Sequence, residues 1–87
     1  MKYAVVWRPS AERKLAEIWV NALSRGDITN ATDTIDAMLS RQPLDVGESR
    51  SGKSRILIIP PLCVYYDVHE SDRLVAVWAV WQRAESR

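Results

Sequence analysis

Residues 55–61 read Arg-Ile-Leu-Ile-Ile-Pro-Pro. Four consecutive bulky apolar residues favour an extended strand, and the two prolines after Ile59 prevent a helix from running through them. This run decides how the segment before it is read. Residues 47–54 are Gly-Glu-Ser-Arg-Ser-Gly-Lys-Ser, a match to the phosphate-cradling pattern GxxxxGK[ST]. Such a loop needs a strand before its glycines and a helix after them, so that loop amides and helix N-terminus bind the phosphate together. Here a helix end and a turn, Leu39 to Val46, come before, and a strand comes after. The motif is therefore read as a Gly/Ser-rich loop over Val46 to Ser51, followed by a strand from Lys53 to Ile59 with a basic entry.

The rest of the chain falls into short periodic runs. Tyr3, Val5 and Trp7 alternate against Ala4 and Val6, a strand signal that Pro9 ends. Ser10 is a suitable N-cap, and Glu12 places an anion in the first turn of a helix. Ala11, Leu15, Ile18, Trp19 and Ala22 recur at helical spacing, and Arg25-Gly26 stops that helix. A second helix begins at Asp27 or Thr29, carries the stripe Ile28, Ala31, Ile35, Met38 and Leu39, and closes at Arg41 and Pro43. Cys63 to His69 and Leu74 to Trp81 are strands separated by the turn Glu70-Ser71-Asp72. The short connections predict an antiparallel meander. The expected architecture is α+β in the order β-α-α-β-β-β, with a helix hairpin packed on one face of a four-stranded, mainly antiparallel sheet.

Two helices cover only one face of that sheet. In strict alternation along the last strand, Val75, Val77, Ala79 and Trp81 share one face. Trp81 and part of the Val75/Val77 row are then left bare, as a partner site would be. Trp7, Trp19 and Trp78 lie on apolar stripes and are assigned to the core. Tyr65 and Tyr66 alternate, so one is buried and one faces outward.

At 87 residues the chain forms one domain, spanning 1–87. No apolar run is long enough for a membrane span, and Met1 to Arg8 alternates where a signal peptide would be blocky. A single cysteine, Cys63, suits a reducing cytoplasm and reads as a buried residue without a nucleophilic role. A formal net charge of +1 argues against broad electrostatic capture of nucleic acid and leaves room for a local basic patch. No His, Cys, Asp and Glu cluster has metal-ligand spacing, so neither metal nor cofactor is expected.

The ordered set of residues resembles the RelE/ParE superfamily of type II toxin–antitoxin toxins. The resemblance rests on Tyr3 to Trp7, the Ala11–Leu15–Ile18 stripe, and Leu39 with Pro43-Leu44. It continues through Gly47 to Arg50, Arg55, Pro61-Leu62, Val64 to Val68 and Asp72 to Val77. It implies a small cytoplasmic toxin that inhibits growth and belongs to a plasmid-stabilisation type of module. A cognate antitoxin would silence it, in an assembly such as a heterotetramer. RelE-like members are implied to be ribosome-dependent mRNA endonucleases (mRNA interferases). ParE-like members inhibit DNA gyrase without cleavage, and an inactive interaction domain of the same fold is a further alternative.

Cleavage through a 2′-hydroxyl needs a base, an acid and cations on the crowded phosphate. Lys53 and Arg55 lie two apart on one strand face, Arg50 precedes them, and Arg83 follows the last strand. The resemblance assigns Lys53, Arg55 and Arg83 to catalysis, with Lys53 as proton acceptor, and Arg50, Lys53, Arg55 and Arg83 to the RNA phosphates. Val75, Val77 and Trp81 are the expected partner contacts. The chain departs from the nuclease pattern where Tyr65-Tyr66 stand in place of a third-strand arginine. It also ends in Gln82 to Arg87, with no terminal Tyr or His. The bland readings are edge charges for Lys53/Arg55 and a solvated turn residue for His69.

Overall fold

The computed structural model describes residues 2–52 and 54–83, with Arg50 and Ser51 described by backbone alone. Strand β1 (Ala4–Trp7) leads into helix α1 (Pro9–Asn21) and helix α2 (Arg25–Arg41). Strands β2 (Glu48–Ser51), β3 (Ser54–Ile59), β4 (Leu62–His69) and β5 (Leu74–Gln82) follow. The sheet order is β1-β5-β4-β3-β2, with β1 parallel to β5 and every other pairing antiparallel. The architecture is α+β as expected, with five strands instead of four. The extra strand is the glycine- and serine-rich segment read as a loop. Gly52, at φ +56, turns the chain between β2 and β3. A strand from Ser54 follows the Gly47–Ser54 motif, so the helix that a phosphate loop requires is absent.

Local chemistry explains the helix boundaries and shifts two of them from expectation. Arg8, not Ser10, is the N-cap of α1, because Pro9 takes the first helical position, where its missing N–H costs nothing. Helix α2 starts at Arg25, and Gly26 lies in its first turn instead of stopping α1. Ser24 is the cap, its Oγ accepting from the Asp27 amide.

One core joins the helix pair to the sheet. Ala11, Ile18, Ile28, Ala31, Ile35 and Leu39 meet Leu57, Leu62, Val64, Tyr66, Val68, Val75, Val77 and Val80. Helix α1 lies over β5, and α2 spreads over β1, β3 and β4. Trp7 packs against this core and donates from Nε1 to Asp36 Oδ1 at 2.9 Å. Trp19 and Trp78 do not belong to it: they are 42% and 37% exposed, a correction to their assignment as core residues.

Candidate functional site

Arg55 sits on β3 opposite Tyr66 of β4, on the helix-covered side of the sheet. Its Nη2 donates to the Gly47 carbonyl at 2.7 Å, and its Nε is buried without a hydrogen-bond partner. Tyr66 is fully buried and its hydroxyl donates to the Pro43 carbonyl at 2.7 Å. Burial pushes that hydroxyl above the usual tyrosine value of 10.0, partly offset by the adjacent Arg55 guanidinium and a bond from the Gly47 backbone. Arg55 and Tyr66 thus tie the turn at Pro43–Gly47 down onto the sheet. Sequence reasoning singled out Arg55 without these neighbours, because the turn lies eight residues or more away along the chain.

Arg83 stands elsewhere. Its amide donates to the carbonyl of Pro61, the residue just before β4 and five residue steps from Tyr66, the partner of Arg55. That is roughly 16 Å along the strand at ~3.3 Å per residue, with a further strand spacing on each side of β4. The Arg55 side chain is engaged toward the turn before β2, on the side of β3 away from β5. The described residues therefore do not bring Arg55 and Arg83 onto one phosphate. Lys53 and the Arg50 side chain, the other expected cations, lie outside the described residues.

Among the described residues no helix lies over the opposite face of the sheet. Its character is set by a β-bulge: Tyr65 pairs with Ala79 and Tyr66 with Val77, leaving Trp78 as the inserted residue. Before the bulge Val75 and Val77 point to the helices, and after it Val80 does. Val75 and Val77 are 0% exposed. They are core residues, which corrects their expected place at a bare surface. Strict alternation failed because one extra residue resets the parity of everything beyond it. Trp81 is 37% exposed on the open face, as expected. The bulge brings Trp78 beside it, and Tyr65 stands between the two, edge-on to both at 5.1 and 5.0 Å. Asp67 Oδ1 accepts from Trp78 Nε1 at 3.1 Å and from Ser54 Oγ at 2.8 Å, fixing the first indole. Val6 and Ile58, 44% and 42% exposed, extend this apolar surface on neighbouring strands. No local sequence signal marks the bulge. The Tyr65-Tyr66 pair was the available pointer to an outward aromatic.

Cys63 is buried and forms no disulfide, and His69 lies partly exposed at the turn after β4. Among the described residues no group of His, Cys, Asp and Glu could hold a metal ion, and no helix is long and apolar enough to cross a membrane.

No family model matches the sequence, and no curated protein matches it. Solved structures do. The toxin–antitoxin complex RelBE2 of Mycobacterium tuberculosis contains a chain similar to this one at TM-score 0.81 and 20% identity, over 98% of this chain and 95% of that one. The fold is that of the RelE/ParE toxins. The isolated RelE toxin of E. coli is similar at TM-score 0.65 and 17% identity, over 98% and 88% of the two chains. A chain of the chromosomal ParDE system of P. aeruginosa is similar at 0.70 and 13%, over 94% and 97%. RelE and ParE structures thus both resemble this scaffold across nearly its full length.

Proposed function

We propose that this chain is the toxin of a type II toxin–antitoxin module, silenced by an antitoxin that covers the open face of the sheet. One observation carries the reading. Among the described residues, a RelE/ParE scaffold presents an aromatic surface under no helix, Tyr65, Trp78 and Trp81, flanked by Val6 and Ile58. A contiguous apolar face of this kind suits an amphipathic or extended partner segment. The RelBE2 structure of Mycobacterium tuberculosis is a toxin–antitoxin complex, which supports such a partner here.

For the toxic act, the first reading is mRNA cleavage on the ribosome, supported by the cations at the β2–β3 hairpin, Arg50, Lys53 and Arg55, with Arg83 after β5. A second reading, binding to a target such as DNA gyrase without cleavage, is favoured by one specific observation. The Arg55 guanidinium is engaged by the Gly47 carbonyl and lies far along the sheet from Arg83. Induced expression in a bacterial host is expected to halt growth, and co-expression of an antitoxin from the adjoining reading frame is expected to restore it. Transcript-end mapping separates the two acts. New ends within reading frames, lost in Arg83→Ala, mean cleavage; unchanged transcripts with a DNA-damage response mean gyrase. Unimpaired growth on full expression refutes the toxin reading.

A further inference from the structure

The outer seam of the helix pair carries apolar side chains that the fold leaves unused. Helices whose only task is to cover a sheet turn polar residues outward. Here Trp19 and Val20 are 42% and 58% exposed. They wall a groove of about 380 Å³ between α1 and α2, lined further by Leu15, Ala16 and the buried Ile28. No strand residue lines it, so it is separate from the open sheet face.

The groove wall is set in place before any partner arrives. Trp19 Nε1 donates across the seam to Thr29 Oγ1 at 3.3 Å. The Arg25 guanidinium stacks 4.6 Å from the centre of the Trp19 ring. Arg25 also donates to the carbonyls of Trp19 (Nε, 3.2 Å) and Val20 (Nη2, 3.1 Å), closing the end of α1. An indole held from two sides loses little freedom on binding, which favours a preformed anchor site. The volume falls in the range of sites that accept a few apolar side chains.

The charges define the occupant. Glu12 and Asp33 line the groove, one from each helix, and among the described residues neither has an ion-pair partner. No Lys or Arg is among the described residues that line the groove, and Arg25, stacked on Trp19, is already committed to the Trp19 and Val20 carbonyls. We propose that this seam is a second docking site, for an amphipathic segment of another protein. Its apolar anchors sit against Trp19 and Val20, and a Lys or Arg reaches Glu12 and Asp33. The proposal does not depend on the toxin reading. Because the helix layer separates seam from sheet, a partner there and one on the open face can be bound together.

The test is fluorescence anisotropy on the purified chain with two labelled helical peptides. Both carry leucines along one face; one ends in a pair of lysines and its twin in a pair of glutamates. The lysine peptide is expected to bind saturably and more tightly than its twin. Asp33→Lys, at an exposed position, should weaken it about fivefold, the upper range for an exposed charge pair. Ala16→Trp, which puts a bulky ring at an exposed lining position, should abolish binding while circular dichroism stays native. Trp81→Ala should leave binding unchanged. Equal binding of the twins, no saturable binding, or loss in Trp81→Ala with none in Asp33→Lys would overturn the proposal.

Discussion

Gly47→Ala tests how tightly the turn before β2 is clamped. A Cβ built on Gly47 meets the Tyr66 hydroxyl and comes within 2.8 Å of the Ile56 carbonyl and 3.1 Å of Tyr66 Cε1. Neither neighbour can retreat. The Ile56 carbonyl belongs to a strand paired on both sides, and Tyr66 is fully buried with its hydroxyl on Pro43. Overpacking of this kind costs about 1–3 kcal/mol. Pushing the hydroxyl off the Pro43 carbonyl adds about 1 kcal/mol. The sum, roughly 2–4 kcal/mol, is a large share of the ~5–15 kcal/mol that holds an ordinary domain together. In a domain of this size it lowers Tm by roughly 10–30 °C. Gly26→Ala is the internal control. It lies in the first turn of α2 with nothing within 4 Å, so it should match or exceed the parent by up to ~1 kcal/mol. Calorimetric melts of both variants give the comparison. Adding Tyr66→Phe to Gly47→Ala should cost less than the two changes summed, because the hydroxyl is the nearest obstacle. A Gly47→Ala protein that melts with the parent would show that the turn does not rest on Tyr66, and the account of Arg55 would fall with it.

Arg55→Ala removes the donor to the Gly47 carbonyl and is expected to cost about 1–3 kcal/mol in urea unfolding, independent of any toxic activity. Tyr66 predicts alkaline sensitivity. Burial raises its folded-state pKa above 10.0, so its contribution is complete below pH 10.0 and is lost as pH rises through the higher folded value. The urea midpoint of the parent should therefore fall more steeply above pH 10 than that of Tyr66→Phe. Val77→Ala and Trp81→Ala should divide cleanly. The first, in the core, loses about 1–3 kcal/mol of stability. The second changes stability by about the 0.5–1.5 kcal/mol of its contact with Tyr65 and, on the proposed function, weakens capture of a co-expressed antitoxin in a pull-down.

Much of the fold is legible from periodicity. The stripes of α1 and α2 and the apolar runs of β3, β4 and β5 each carry a signal strong enough to place an element. What escapes is what periodicity does not encode. Strand β2 is Glu-Ser-Arg-Ser, with no apolar alternation, and owes its existence to pairing with β3. Gly26 reads as a stop, yet the Ser24 cap starts α2 ahead of it. The bulge at Trp78 turns a correct strand into a wrong list of faces, so Val75 and Val77 were placed outward while Trp78 was placed inward. At the candidate site, residue type pointed to Arg55 and Trp81. The buried tyrosine that shares space with the first and the aromatic pair that surrounds the second arise from contacts across the sheet.

The parallel pairing of β1 with β5 has a consequence for synthesis. Ala4 finds its partner at Leu74, so the opening strand stays unmatched until nearly the whole described chain has been made. Contacts this distant in sequence form slowly. The sheet therefore stays unfinished until β5 has been made, and Trp78 and Trp81, which complete the aromatic face, lie on that same strand. A cell making this protein has that interval in which to supply whatever is to bind it.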